Sequence, residues 1–534
     1  MTSELFRLLK PYLDKNTIKL INILLKKENI INSFSSDNYE YIVYLLDQIH
    51  IHLSSTEKHD LFFKAIELNN LEIVKLLFEK YDLNKENYDI ENALSILASF
   101  EECTPLAQYL IENNSEEKDK LHGIINTALS MACQCNNSDL ISLLLDYGAD
   151  INSKNSNQWT PLHIACQYSN INIVKLLLKN NANVNEVDQN LNTPLYLVCQ
   201  NGNTEIVNLL LKKRADVNSQ NSLNWTPLHI ACYNGKINVV ETLLNNKAKI
   251  NLKTNEGKTP LHLACQNNDK KLVSLLLLHK ADDNIKDKNL NTALHIAVKN
   301  NNYTIASLLL VCKMENKNDL NRLLKYIIAQ NNTNINDDDE EIDDSEDENA
   351  NDIDNDNDND NYNEKVKELY ISLWRSATEY GRPLEKKEND IVNLINSKNN
   401  DEWTPLHVAC KNNNNEIVQL LLDNKANINE EGQESNTALH IACQNNNSEI
   451  IKILLNHGDD INYKNAKKWT PLHIACLNDE VDAVECLLNN DHIRIESQNK
   501  EEKTPLHIAC ENGKSKVVRK LLKGKADLRA KICK

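Results

Sequence analysis

Apolar residues along most of the chain recur in two short stripes, each with helical spacing and each followed by polar turn residues. Within residues 226–258 the two stripes consist of Leu228, Ile230 and Ala231, followed by Val239, Val240, Leu243 and Leu244. Apolar residues three and four positions apart lie on one face of a helix. Between the stripes, Asn234 and Gly235 favour the left-handed backbone that ends a helix. The pattern therefore predicts two short helices packed back to back.

The first of these helices has a clear start signal. Thr226 can cap it, because the threonine oxygen accepts a backbone N–H that has no partner inside the helix. Pro227 then occupies the first helical position, where its missing N–H costs nothing. After the second helix, residues 248–258 have the composition of an extended segment and a tight turn. The next Thr-Pro pair then starts the pattern again.

The same start recurs ten times at a nearly constant interval. It lies at Thr127, Thr160, Thr193, Thr226, Thr259 and Thr292, each 33 residues after the last, and again at Thr404, Thr437, Thr470 and Thr504. The second set is spaced by 33, 33 and 34 residues. A fixed period of this length indicates a repeat protein in which each unit packs on its neighbours.

The core of the repeat reads Thr-Pro-Leu-His-x-Ala, as in residues 160–165, 226–231 and 404–409. With its 33-residue period, this motif resembles the ankyrin repeat. The resemblance implies an all-α fold: an ankyrin-type helix-turn-helix solenoid with short β-hairpin connections. The family usually has glycine two residues before the threonine, a position at which only Gly257 remains. We expect the turn to persist in part, because residues such as Asn224 tolerate the left-handed backbone.

These patterns divide the chain into six parts: a helical N-terminal cap at 1–56, degenerate ankyrin repeats at 57–126, a first array at 127–330, an insert at 331–364, a degenerate repeat at 365–402 and a second array at 403–534. We expect the Asn- and Asp-rich insert to be disordered, because it has few apolar residues to bury. One interrupted solenoid is the favoured arrangement, since the entropic cost of closing a loop grows only with the logarithm of its length. Two solenoids joined by a tether remain the alternative.

The net charge of −18 is concentrated in the acidic insert. Residues 337–364 contain 16 Asp or Glu and no Lys or Arg, which leaves −2 for everything else. A nearly neutral folded part lacks the broad basic surface that nucleic acids require. No stretch has the length of a transmembrane helix or resembles a signal peptide. We therefore expect a cytoplasmic protein, with the nucleus as the alternative, that binds neither nucleic acid nor membranes.

Nine of the 14 cysteines share one position, six residues after the threonine: Cys133, Cys166, Cys199, Cys232, Cys265, Cys410, Cys443, Cys476 and Cys510. Packed helices lie about 8–10 Å apart, which is too far for a disulfide. We therefore predict that these cysteines are buried, unreactive free thiols in a reducing compartment.

Pairs such as His163 and Cys166 suggest a zinc site, but they recur at the structural period of the repeat. The resemblance implies instead that this histidine orients a turn through hydrogen bonds to neighbouring repeats. Asp and Asn alternate over residues 352–360 as in a calcium loop, yet Asn357 and Asn363 replace the glycine and glutamate that such a loop needs. No phosphate-binding loop or nucleophile motif is present in the sequence. We predict no metal, no cofactor and no catalytic residue.

The residue just before the threonine is the candidate contact position. Four of the five tryptophans lie there, Trp159, Trp225, Trp403 and Trp469, and Lys258 and Lys503 follow at the same position one repeat after Trp225 and Trp469. The resemblance implies that this position lines a concave groove, so these six residues are the predicted partner-binding residues. Packing of the tryptophans on neighbouring turns is the alternative.

The sequence therefore predicts a non-enzymatic scaffold or adaptor that binds a protein partner on the concave surface, with no small-molecule ligand. Two other hypotheses remain open. One is a regulatory subunit of an enzyme, or enzyme activity within residues 1–56. The other is an acidic decoy, in which residues 337–364 occupy a basic partner. The fold specifies how such a protein binds and leaves the identity of the partner open.

Overall fold

The structure, a computed structural model, describes residues 55–81, 88–113, 118–311 and 385–528. Contacts between Cα atoms divide the chain into two compact units, residues 1–222 and 223–534, which are described one at a time. The predicted cap at 1–56 lies outside the described residues, apart from the two residues that begin the first helix. The predicted insert at 331–364, with its expected disorder, lies outside them entirely. Among the described helices, none has the length and apolar character needed to cross a membrane.

The first unit is a succession of helices joined by turns. Over its described residues the helices are α1 (Ser55–Glu67), α2 (Leu71–Tyr81), α3 (Ile90–Leu97), α4 (Thr104–Glu112), α5 (Lys118–Gln134), α6 (Ser138–Asp146), α7 (Pro161–Gln167), α8 (Ile171–Lys179), α9 (Pro194–Asn201) and α10 (Thr204–Lys212). From α3 onward, the first helix of each pair packs on the first helix of the next pair. The apolar stripes therefore face the neighbouring repeats as well as the partner helix.

The second unit repeats this arrangement. Its described helices are α11 (Pro227–Tyr233), α12 (Ile237–Asn245), α13 (Pro260–Gln266), α14 (Lys270–Leu278), α15 (Ala293–Lys299), α16 (Tyr303–Val311), α17 (Glu385–Ile395), α18 (Pro405–Lys411), α19 (Asn415–Asp423), α20 (Ala438–Gln444), α21 (Ser448–Asn456), α22 (Pro471–Asn478), α23 (Val481–Leu488), α24 (Pro505–Glu511) and α25 (Ser515–Lys523), with one 3₁₀ turn at Gln433–Ser435. Apart from α17, they form consecutive pairs.

The predicted helix start is confirmed at Thr226. Its hydroxyl oxygen accepts the backbone N–H of His229 at 3.3 Å, and its own N–H donates to Nδ1 of His229 at 3.2 Å. Pro227 occupies the first helical position. The threonine and histidine thus satisfy two backbone donors reciprocally at the end of the helix.

Both predicted apolar stripes of residues 226–258 are buried, with one exception. In the first helix, Leu228, Ile230 and Ala231 are buried. In the second helix, Val239, Val240 and Leu243 are buried. Leu244 is only half-buried. The two stripes form the core because each helix is too short to bury its apolar face alone.

The predicted short β-hairpins are wrong for the described residues, where the connections between repeats are turns without strands. The connection at 254–258 closes with two backbone bonds, from Thr254 N–H to the Lys258 carbonyl and from Gly257 N–H to the Thr254 carbonyl, both at 2.9 Å. It makes one further backbone bond to the next connection, from Lys288 N–H to the Glu256 carbonyl at 2.9 Å. A β-ladder needs a regular series of such bonds between two chains, and a single bond between adjacent connections does not form one.

From Thr160 onward, the turn before each starting threonine keeps a left-handed residue although glycine is mostly missing there. The predicted helix start at Thr127 is wrong, because Thr127 lies inside helix α5. The φ angle is +58° at Asn224, +57° at Leu290 and +60° at Glu402. A non-glycine residue in this conformation costs about 1–2 kcal/mol. The turn itself offsets that cost with a hydrogen bond, such as the one from Leu290 N–H to the Asp287 carbonyl at 3.0 Å. The expected persistence of the turn is confirmed.

Within the second unit, the stack continues directly from the repeat at Thr292 to the repeat at Thr404. Helix α15 packs on α18, and α16 packs on α19. Nε2 of His295 donates to the Trp403 carbonyl at 3.1 Å, and the Asn412 amide donates to the Lys299 carbonyl at 3.0 Å. In this unit the contacts are those of one interrupted stack, the arrangement that the sequence favoured.

The interruption lies inside a single repeat. Residues 396–403, at the end of the predicted degenerate repeat, complete the loop of the repeat that begins at Thr292. The Asn396 side chain accepts Asn427 N–H at 2.8 Å, just as Asn251 accepts Asp282 N–H at 3.0 Å. Residues 312–395 thus stand where the preceding repeat has only residues 279–283.

Candidate functional site

The candidate surface is built from two positions of each repeat, which we call the paired face. One position is the residue just before the starting threonine, in the connecting turn. The other is the residue eight positions later, at the end of the first helix. The two positions lie about two helical turns apart on the same side of the first helix, so long side chains at these positions can meet. All six residues predicted to contact a partner belong to the first position.

The aromatic pair of the paired face lies in the first repeat of the second unit. The rings of Trp225 and Tyr233 meet edge to face with centroids 5.4 Å apart. Trp225 is half-buried, whereas Tyr233 is 47% exposed. Leu223, at the tip of the same turn, is 57% exposed. Trp225 and Tyr233 contact each other, and Leu223 adds an exposed apolar side chain in the same turn; we call these three residues the apolar cluster.

Several other pairs of the second unit carry charge. Lys411 Nζ lies 5.9 Å from the ring centroid of Trp403, within the range of a cation–π contact. Lys258 Nζ donates to Gln266 at 3.1 Å and forms an ion pair with Glu256. These contacts fix the ends of the side chains next to the first helices.

Lys503 repeats the arrangement of Lys258. Its Nζ lies 2.8 Å from Glu511 on the helix and 2.9 Å from Glu501 in the turn. The hydrogen bond to Glu511 and then that to Glu501 raise the pKa of Lys503 above its ordinary value. The pair is exposed, so its contribution to stability is small.

The two other predicted tryptophans contact neighbouring groups of their own unit. In the first unit, Nε1 of Trp159 donates to Asp188 in the next connecting turn at 3.2 Å. In the second unit, the Trp469 ring lies 5.9 Å from that of His473, centroid to centroid. Both tryptophans are half-buried. Each therefore packs on the repeat and still shows part of its ring to solvent.

The paired face rests on a row of histidines that connect successive repeats. In the second unit, Nε2 of His262, His407 and His440 donates to the carbonyls of Asn291, Asn436 and Trp469 at 3.1–3.2 Å. Each acceptor is the turn residue of the next repeat, which is the first position of the paired face. The histidine role implied by the family resemblance is thereby confirmed for these residues.

Burial keeps these histidines neutral. It lowers the pKa of His440 to about 4, with its hydrogen bond to the Trp469 carbonyl opposing the shift. The neutral form suits the geometry, because Nδ1 accepts the threonine N–H while Nε2–H donates to the next turn. The ring therefore has no nitrogen left for a metal. Among the described residues, no three His, Cys, Asp or Glu side chains converge as metal ligands would.

Asparagine side chains form a second row of links, at the ends of the first helices. In the second unit, the amides of Asn267, Asn300 and Asn445 donate to the carbonyls of Tyr233, Gln266 and Lys411 at 2.5–3.2 Å. These acceptors are the second position of the paired face. The asparagine satisfies carbonyls that a helix end leaves without a partner, and it holds adjacent first helices in register.

The nine cysteines of the shared position are free, and eight of them are buried. Burial raises the pKa of Cys133 to about 12 and that of Cys166 further. The prediction of buried thiols is wrong for Cys510, which is exposed because, in the part of the chain that the structure describes, no further first helix covers it.

Reasoning from the sequence missed the second position of the paired face and the asparagine links. The signal was available, because Asn recurs eight residues after the threonine in most repeats and Tyr233 lies eight residues after Trp225. Such a spacing becomes informative only when the length of the first helix is known.

The paired face belongs to a chain whose repeats a family model recognises directly. The model described as "Ankyrin repeats (3 copies)" matches residues 94–188, 180–254, 247–339, 360–465 and 459–532. A comparison with curated proteins found no match. The family matches span well over half of the chain, and the structure shows the capped helix pairs that the period predicts. The chain therefore belongs to the ankyrin repeat family.

Proposed function

We propose that this chain is a non-enzymatic scaffold that binds a protein partner on the paired face, which corresponds to the concave surface of the family. Ankyrin repeats are in general protein–protein interaction modules, which supports the class of function. The six partner-binding residues of the proposal are Trp159, Trp225, Lys258, Trp403, Trp469 and Lys503. The cytoplasm is the proposed location.

The observation that supports this surface best is the apolar cluster of Leu223, Trp225 and Tyr233. Leu290, at the tip of another turn of the same unit, is also 44% exposed. Contiguous apolar groups at a surface mark interaction sites more often than chance exposure does. Partly exposed aromatic rings are the groups that most often dominate the energy of a protein interface.

The links between repeats support the proposal in a second way. The histidine and asparagine rows bond both positions of the paired face to the neighbouring repeat. A surface whose groups are already held in place loses less conformational entropy on binding. The paired face is thus suited to recognising a partner with little rearrangement.

The experiment is site-specific photo-crosslinking in the full chain. A photoreactive amino acid replaces Tyr233 in one variant and Glu241, an exposed residue of the second helix α12, in the matched control. We expect a discrete crosslinked protein from position 233 and none from position 241. Equal crosslinking at both positions would remove the paired face from the proposal.

A substitution series then measures the contribution of the cluster. Trp225→Ala and Tyr233→Ala should each weaken binding of the crosslinked partner by about 2 kcal/mol if they are hot spots. Loss of the aromatic contact alone should lower the free energy of unfolding by about 1 kcal/mol. A large loss of stability with unchanged binding would assign both residues to packing.

A further inference from the structure

Asp459 occupies a position that holds alanine in most other repeats. The corresponding residues are Ala149, Ala182, Ala215, Ala248, Ala281, Ala426 and Ala526. Each lies in the turn after the second helix, and its N–H donates to the carbonyl of the leucine five residues earlier at 2.9–3.0 Å. Asp459 makes the same bond, to the Leu454 carbonyl, at 3.3 Å. The larger side chain is thus accommodated in the same turn with a longer closing bond.

The carboxyl group of Asp459 is buried without a hydrogen-bond partner. The residue is 8% exposed, and neither Oδ1 nor Oδ2 has a partner. A buried carboxylate that lacks hydrogen bonds strongly disfavours its charged form. The position suits the small apolar side chain that the other repeats have. Among the described residues, no group forms a hydrogen bond to the Asp459 carboxyl oxygens.

Among the described residues, no positively charged group is a cause of the pKa shift of Asp459. On its own turn, the Asp460 carboxylate repels the ionised form, and the Asp460 backbone amide favours that form slightly without completing a hydrogen bond. From the packed helices, the thiols of Cys410 on α18 and Cys443 on α20 lie within electrostatic range. Burial raises the pKa of both thiols most, and Asp459 is a smaller further cause. His457 is engaged by the Ile453 carbonyl and by Asp423. Burial and then Asp460 raise the pKa of Asp459 to about 7.

We propose that Asp459 makes the contact between the repeats at Thr404 and Thr437 a proton-controlled weak point of the stack. The neutral acid is accommodated in the alanine position. When the proton leaves, opening of residues 454–465 exposes the carboxylate to water. Gly458 next to it has a φ angle of +89° and no atom within 4 Å of where a side chain would start, so the turn has space to move.

The direction of the pH effect follows from proton linkage. In the opened turn the carboxyl group has its ordinary pKa of about 4, whereas the closed turn keeps the proton up to about pH 7. Between these values the closed state binds one more proton, so the contact weakens as pH rises through this window. Below the window, and above it, Asp459 adds no further pH dependence.

The test measures opening of residues 454–465 by hydrogen exchange in the full chain, from pH 5 to pH 8, corrected for the intrinsic exchange rate. The matched variant is Asp459→Ala, which restores the residue of the other repeats. We expect the opening constant of the natural chain, divided by that of the variant, to rise about tenfold per pH unit from pH 5 to pH 7 and then to level off. Contributions to the opening constant that are the same in both chains cancel in the ratio.

Three controls make the outcome specific. For residues 421–432, which contain Ala426, the opening constant of the natural chain divided by that of Asp459→Ala should not change with pH. Asp459→Asn keeps the shape without a charge and should be independent of pH, and Ala426→Asp should transfer the pH dependence to residues 421–432. A ratio that does not change with pH, or that changes equally at 421–432, would overturn the proposal.

Discussion

Among the glycines whose surroundings the structure describes, Gly257 is the one at which a single methyl group should be most damaging. Its φ angle is +75°, and a Cβ atom there would lie 2.8 Å from the Lys288 backbone nitrogen and 3.0 Å from the Asp287 carbonyl carbon. Real Cβ atoms essentially never approach backbone that closely. The added atom would push apart the two connecting turns that the bond from Lys288 N–H to the Glu256 carbonyl joins.

The cost of Gly257→Ala has two parts. Placing alanine in left-handed backbone costs about 1–2 kcal/mol. Forcing the overlap with the neighbouring turn adds about 1–3 kcal/mol, as overpacking typically does. Leu290 occupies the same turn position with a φ angle of +57°. The conformation alone is therefore tolerated, and the close approach is the decisive difference.

Gly235→Ala, in the same repeat, is the matched control. Its φ angle is +66°, but its nearest neighbour, the Asp269 carboxylate, lies at an ordinary 3.7 Å from the Cβ position. Hydrogen exchange of residues 254–266 reports the free energy of local opening in both variants. We expect Gly257→Ala to lower it clearly more than Gly235→Ala. Equal losses would show that the turns separate easily and that the distance between them is not rigid.

Three further outcomes follow from the links between repeats. Asn412→Ala removes amide bonds to Val298, Lys299 and Asn301 across the interruption, so opening of residues 293–299 should become easier by about 1–3 kcal/mol. Asn512→Ala, which removes only a bond to Ile508 in its own helix, should cost less, and a reversed order in hydrogen exchange would contradict the asparagine links. Burial lowers the pKa of His440 to about 4, so its contribution to stability is present above its ordinary pKa of about 6.5 and is lost as pH falls toward 4. In urea titrations at pH 5, His440→Gln should take up about one proton less on unfolding than the natural chain, and an unchanged uptake would mean that the ring is already protonated in the fold. A bulky alkylating reagent should label the exposed Cys510 in the native protein, and it should label the buried Cys476 only after denaturation. Peptide mapping that finds both cysteines labelled in the native state would contradict the packing of the last repeat.

Interactions inside one repeat were readable from the sequence. Thr226, Pro227 and His229 lie within four residues, so the cap, the first helical position and the reciprocal hydrogen bonds follow from the motif itself. The apolar stripes followed for the same reason, because helical spacing determines which side chains share a face. Tyr233 was within reach of this reasoning, since its place beside Trp225 depends only on the length of the first helix.

Contacts between repeats needed the tertiary structure. The run Asn396-Ser397-Lys398 fits the loop of a separate degenerate repeat as well as that of the repeat at Thr292. Bonds such as that from His295 to the Trp403 carbonyl show which loop it completes. The prediction of β-hairpins was wrong for the same reason: strand pairing depends on how far adjacent turns run side by side, which only the tertiary structure shows.

The sequence by itself determined the period, the helix starts from Thr160 onward, the buried stripes and the family of this protein, since all of these rest on residues a few positions apart. The tertiary structure alone decided that Cys510 is exposed, that residues 312–395 interrupt one repeat, and that the Asp459 carboxyl has no partner. Each of these depends on which atoms of a neighbouring repeat approach the residue, and burial and hydrogen bonding are properties of that neighbourhood rather than of the residue type.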